Sequence, residues 1–175
     1  MFTGSNKVGK QIQRDSADTL KRLTLELGGK ACNIVMDDVD VDVAVQRAAI
    51  ACFINSGQFC MSGAKVYVHE KIYDEFVSKM ATHVSNIKVG SAWEEGAFNG
   101  PVISQVQMEK VLGYIQSGKD QGAKLLAGGN RVDRDGYFIQ PTLFADVEEE
   151  MKISREEIFG PVMSILKFST LDEAI

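Results

Sequence analysis

The sequence predicts an α/β fold, a mainly parallel β-sheet with flanking helices. Two observations carry this. Short apolar or alternating stretches of strand length recur along the chain, and several are separated by stretches with apolar residues at helical spacing. Strands alternating with helices build βαβ units, which pair in parallel.

The elements follow in order. Val8, Ile12 and Leu20 lie in a helix-compatible stretch that begins near Ser5. Lys21–Leu27 alternates polar and apolar, as a strand does, and Gly28–Gly29 breaks it. Asn33–Met36 is a short apolar run, expected as a buried strand. Val41, Ala44, Val45, Ala48, Ala49, Cys52 and Phe53 then recur at helical spacing. Asp38, Asp40 and Asp42 crowd the start of that helix, where its dipole favours acids. Asn55–Ser56–Gly57 reads as its stop signal. Lys65–His69 is expected as a strand. Ile72, Phe76, Met80, Ala81, Val84 and Ile87 mark a second amphipathic helix. Phe98–Pro101 is a turn, and Ser104 caps a third helix with Met108, Val111, Leu112 and Ile115 on one face. Lys124–Ala127, Tyr137–Ile139, Leu143–Phe144 and Pro161–Phe168 read as strands. Thr170–Ile175 begins a helix. The first residues read as a loop entering a helix and the last lie inside one, so we expect a segment of a longer chain.

Composition narrows the function classes. Hydrophobic residues make up 45% of the 175 residues, charged residues 25%, and there are 3 prolines. Disorder, collagen and a disulfide scaffold are excluded. No apolar run approaches the roughly 18–20 residues that cross a bilayer. The net charge of −5 argues against a nucleic-acid binder. Met1–Lys10 has no apolar signal region. The 3 cysteines, an odd number, fit a reducing compartment. They form no Cys-x-x-Cys pair and the two histidines lie apart from them, so no metal site is expected.

Four features could carry chemistry. Cys60 follows a helix end and stands between Gly57 and Gly63, where the backbone can approach a ligand and stabilise a thiolate. Its plain alternative is a small buried hydrophobe, the reading given to Cys52 and Cys32. Glu26 lies between Leu25 and Leu27; burial there would make it a general base, whereas strand alternation would leave it facing solvent. Gly4–Lys10 (GSNKVGK) approaches a P-loop, but Gln11 stands where a hydroxyl should, and the softer reading is a phosphate-binding helix start. Glu156–Val162 (EEIFGPV) offers a carboxylate to a ribose and a ring to a heterocycle, or a surface acid and a core phenylalanine. Glu148–Glu150 reads as a solvated face.

Together the motifs FTGS at 2–5, LELGGK at 25–30, Gly57–Gln58–Phe59–Cys60 and EEIFGPV at 156–162 resemble the aldehyde dehydrogenase superfamily. GPVIS at 100–104 and GYFIQPTLF at 136–144 fit the same pattern, so the resemblance covers the whole chain. Leu112–Gly129 is most similar to the broad-specificity cytosolic and mitochondrial NAD-dependent branch. The resemblance implies a Rossmann-like fold, with residues 1–27 as the tail of a cofactor-binding domain and 28–175 as most of a catalytic domain.

It also implies roles. Cys60 is the nucleophile toward an aldehyde, and its backbone N–H is one oxyanion donor. Glu26 activates the water that hydrolyses the thioester. Gly4 and Ser5 match the pyrophosphate loop, with Gly9 closing the turn beside the helix. Leu27 lies near the nicotinamide, Glu157 binds its ribose and Phe159 packs beside the ring. The cofactor is NAD, with NADP left open, and no metal takes part. The partner is a small-molecule aldehyde, without nucleic acid or membrane, and the full-length protein is expected as a homo-oligomer, dimer or tetramer. The expected compartment is cytoplasmic, with the mitochondrial matrix open. Phe59 and Met61 flank the nucleophile and shape the aldehyde pocket. The family's second oxyanion donor, an asparagine, lies upstream of the motifs present, so the segment alone is expected to be inactive. Alternatives are a non-catalytic binding protein of the same fold, a P-loop hydrolase and a CoA-acylating relative.

Overall fold

The computed structural model describes residues 1–175, with strands split between two sheets. The small sheet pairs β1 (Phe2–Thr3) with β2 (Leu25–Glu26) in parallel. Between them runs α1 (Asn6–Asp15), capped by Ser5, whose Oγ accepts from the N–H of Val8 at 3.3 Å.

The large sheet has five strands. Its spatial order is β3 (Cys32–Val35), β4 (Lys65–His69), β7 (Val162–Phe168), β6 (Thr142–Ala145), β5 (Lys124–Ala127). The first three pairings are parallel and the last, β5 with β6, is antiparallel. A mainly parallel sheet therefore forms, as its strand–helix alternation predicts.

Helices cover both faces. On one side α2 (Val41–Phe53) and α3 (Tyr73–Ser85) bury Val45, Ala49, Phe53, Phe76 and Met80 against Val66, Val68, Met163 and Ile165. On the other, α4 (Gln105–Asp120) buries Val111, Tyr114 and Ile115 with Phe144, Leu166 and Phe168. Odd and even strand positions thus enter different cores, as the pleat requires. Asp40 caps α2 by accepting from Val43 N–H at 3.0 Å, and Ser104 caps α4 by accepting from Gln107 N–H at 3.2 Å. Short helices α5 (Lys152–Arg155) and α6 (Leu171–Ala174) complete the chain, the latter opened by a Thr170–Glu173 capping box. No helix is long and apolar enough to cross a membrane.

Three expectations change. Only Leu25–Glu26 of the predicted Lys21–Leu27 strand pairs, because β1 offers just two residues of partner. Tyr137–Ile139 is not a strand. Its backbone groups bond to Val102 and Val132, and Ile139 makes only an isolated bridge with Arg131, so no continuous ladder forms. Cys32 is exposed rather than buried, because β3 is an edge strand whose outward face also carries half-exposed Ile34.

The arrangement places the site. The segment 57–64 leads into β4, and the turn 156–161 leads into the neighbouring strand β7. Both therefore stand at the amino ends of parallel strands, whereas open α/β sheets usually bind ligands at the carboxyl ends. The carboxyl ends of β1 and β2, Gly4–Ser5 and Leu27–Gly28, meet them across one cavity.

Candidate active site

The loop that carries Cys60 begins where α2 stops. Asn55 (φ 52), Ser56 (φ 55) and Gly57 (φ 69) are left-handed in succession. The two non-glycine residues cost on the order of 1–3 kcal/mol each. A Cβ at Gly57 would overlap the carbonyl oxygen of Gly160, so the loop seats directly on the turn before β7. Gly57→Ala meets both the dihedral and the overlap. It is expected to destabilise the fold by about 2–4 kcal/mol, read as a lower urea midpoint; an unchanged midpoint would remove this contact from the account.

Cys60 is a free, exposed thiol that ends this loop. It lines a cavity of about 460 Å³ together with Glu26, Leu27, Gly28, Gly4, Ser5, Glu157 and Phe159. Seven of the eight residues singled out in the sequence therefore share one wall-to-wall space. Gly9 does not: it is buried within α1, under the side chain of Leu27. Glu26 is exposed beside half-buried Leu25 and Leu27, so of its two readings the solvent-facing one holds and its carboxylate is not buried among leucines.

Local packing explains several positions. Gly28 donates its N–H to Asn6 Oδ1 at 3.2 Å, tying the end of β2 to α1. A Cβ on Gly28 would lie 2.6 Å from Glu157 Oε2, so the bare backbone there is what lets the carboxylate enter the cavity. Phe159 holds φ 58, and Gln107 Nε2 donates to the carbonyls of Ile158 and Phe159 at 3.1 and 2.8 Å. That fork from the first turn of α4 fixes the turn carrying Glu157 and Phe159.

The start of α1 is not a P-loop. Its residues are helical from Asn6 onward, and the Gln11 amide donates to Asp15 at 2.7 Å, away from any phosphate-cradling loop. What remains is a helix N-terminus with no acidic residue in its first turn, whose free N–H groups favour an anion.

Gln107, Lys110 and Thr3 also line the cavity, and the sequence reading passed over them. No local pattern marked the first two: on α4 they border buried Val111 and Tyr114, and only the fold turns them toward the cavity. Lys30 was likewise quoted within LELGGK without a role. Its Nζ is buried with no protein hydrogen-bond partner, and it lines a space of about 20 Å³ beneath Cys60, with Ser62 and Glu157. Burial lowers its pKa to about 8, and burial pushes the neighbouring Cys52 thiol up to about 12.

The pair gives opposite pH slopes. Between about 8 and the ordinary 10.5 the unfolded chain holds the extra lysine proton, so stability rises with pH. Above the ordinary thiol value of 9.0, Cys52 ionises first in the unfolded chain and stability falls. The unfolding free energy is therefore expected to climb from pH 8 to 9 and flatten beyond. Lys30→Met should abolish the climb and stabilise the fold at pH 7 by roughly 1–3 kcal/mol. Equilibrium urea unfolding across this range checks both; a flat profile in the parent chain would contradict them.

The acidic run at 148–150 is not simply solvated. Glu149 accepts from Lys65 Nζ at 2.7 Å and from Tyr67 OH. Burial pushes its pKa up, but these bonds outweigh it and hold the carboxyl below its ordinary range.

The chain as a whole is similar to known proteins. The model of the aldehyde dehydrogenase family matches residues 1–175. Mitochondrial aldehyde dehydrogenase of Homo sapiens is 49% identical over 175 residues, covering 99% of this chain and 34% of the relative. That of Sus scrofa is 51% identical over the same share. Among solved structures, the NAD+ complex of the Bacillus cereus aldehyde dehydrogenase superposes with a TM-score of 0.96 at 44% identity, covering 99% of this chain and 35% of that one. A point mutant of the same bacterial enzyme gives 0.97. The chain spans about a third of the length of the relatives it matches.

Proposed function

Because the chain belongs to the aldehyde dehydrogenase family, we propose that it carries the reacting groups of an NAD-dependent enzyme that oxidises an aldehyde to a carboxylic acid. The observation that supports this most is the single cavity lined by both Cys60 and Glu26.

The residues present suit the nicotinamide end of the cofactor. The cavity's size, about 460 Å³, is that of a small-molecule site. Gly4 and Ser5 present the α1 N-terminus to a pyrophosphate, Glu157 reaches a ribose hydroxyl past the bare Gly28, and Phe159 and Leu27 offer apolar faces to the ring. When bound, NAD supplies the hydride acceptor.

The chain's own groups do the rest. The Cys60 thiolate adds to the carbonyl carbon, and its backbone N–H donates to the resulting oxyanion. Loss of hydride leaves a thioester on Cys60. Glu26 takes a proton from water at the other side of the cavity, the hydroxide attacks the thioester carbonyl, and the carboxylic acid leaves as the thiol is restored. A thiol suits both halves, since it adds readily and its ester hydrolyses readily. Phe59, which lines both spaces around Cys60, bounds the substrate side, whereas Met61 is exposed and lines neither.

No asparagine lines the cavity. Without that asparagine, the 175-residue chain alone is proposed to be inactive. The test is aldehyde-dependent NADH formation with matched acid production. It is expected from a full-length enzyme carrying these residues and absent from the isolated chain. Robust turnover by the isolated chain would refute the second part, and none by the full-length enzyme the first.

A further inference from the structure

We propose that Gln58 is a positioning residue that holds the Cys60 loop in its left-handed turn by bolting it to the segment 99–103. The side-chain amide two residues before the thiol meets three backbone groups. Its Oε1 accepts from Ile103 N–H at 2.9 Å, and its Nε2 donates to the carbonyls of Asn55 and Pro101 at 3.3 and 3.4 Å. Two further bonds join the same segments: Ser56 Oγ donates to Gly100 O at 2.9 Å, and fully buried Asn99 donates from Nδ2 to Phe53 O at 3.2 Å.

The logic is mechanical. Asn55 and Ser56 hold a backbone conformation that L-residues avoid, so the loop relaxes unless other contacts over-determine it. Gly57 fixes one side of the loop, against Gly160. Gln58 fixes the other, and it does not line the thiol's cavity, though it shares a neighbouring groove with Phe159. Without it that side keeps only the Ser56 and Asn99 bonds, both placed before Gly57, and Cys60 is freer to leave the wall it shares with Glu157. That wall is tight, because both residues line the water-sized space of about 20 Å³.

The inference gives Cys60 its importance through the catalytic reading, but its test needs no turnover, so the two fail separately. In the 175-residue chain, Glu157→Cys is introduced with Cys32→Ser, leaving Cys52 buried. A short bifunctional thiol reagent that fluoresces only when both ends react then reads the approach of position 157 to Cys60. Bridging is expected in this background. Adding Gln58→Leu, of similar size without hydrogen bonds, should cut the bridged yield by about tenfold, which is what the loss of one or two net hydrogen bonds allows. Gln58→Glu keeps the acceptor for Ile103 N–H and should retain an intermediate yield. Thermal unfolding of each variant confirms that the fold persists; if the leucine variant fails to fold, the glutamate variant and Ser56→Ala carry the comparison. Unchanged bridging in the leucine variant overturns the proposal. An equal loss in the leucine and glutamate variants still supports it, placing the restraint on the Nε2 bonds that both variants lack.

Discussion

Cys60→Ala is expected to abolish aldehyde oxidation in the full-length enzyme, by at least about 10⁴-fold in kcat/KM. The reasoning is that no other group can take over. Cys52 is buried and its thiol is pushed up to about 12. Cys32 is exposed on edge strand β3 and does not line the cavity. The only hydroxyls that line it are those of Thr3, on β1, and Ser5, at the cap of α1. Because Cys60 is itself exposed, the alanine variant should unfold at nearly the parent temperature and should bind NAD with similar affinity. The assay is NADH formation beside equilibrium titration of the cofactor. A variant that still oxidises aldehyde within tenfold of the parent would show that another nucleophile does the work.

Glu26→Gln should separate the two halves of the reaction. The amide keeps the size of the carboxylate but cannot take a proton, so thioester formation proceeds and hydrolysis slows. Steady-state turnover is expected to fall by roughly 10²–10⁴-fold, the range for a positioned general base. One equivalent of NADH per site should still appear in a rapid burst. Little structural cost is expected, since Glu26 is exposed and β2 pairs with β1 through backbone groups alone. Stopped-flow absorbance with enzyme in excess of a single turnover distinguishes the outcomes. Loss of the burst along with the steady state would place Glu26 before hydride transfer.

The sequence was readable where local chemistry decides. The Val41–Phe53 helix announces itself through its apolar spacing and its Asp40 cap, and the structure places the same residues in the core. The left-handed stop at Asn55–Gly57 is equally local. The Cys60–Glu26 pair was readable only through the order of family motifs. Their shared cavity arises from the meeting of two sheets, which no window of the chain encodes.

What local patterns could not give depends on partners far along the chain. Strand β2 is short because Phe2–Thr3 is short. Residues 137–139 look like a strand, yet their backbone is divided among three neighbours. Cys32 looks apolar and buried until the sheet order makes β3 an edge. Lys30, Gln107 and Lys110 sit in ordinary polar contexts, and only the fold brings them to the site.

The most direct check on the chemistry is to stop the Glu26→Gln enzyme after one turnover with aldehyde and NAD, digest it at low pH, and weigh its peptides. An acyl group, lighter by two hydrogens (the hydride and the hydroxyl proton) than the adduct of the intact aldehyde, is expected on the peptide holding Cys60 and nowhere else. Finding that peptide unmodified while NADH has formed, or finding the acyl group on a different side chain, would contradict the assignment of the sulfur and the carboxylate to one reaction.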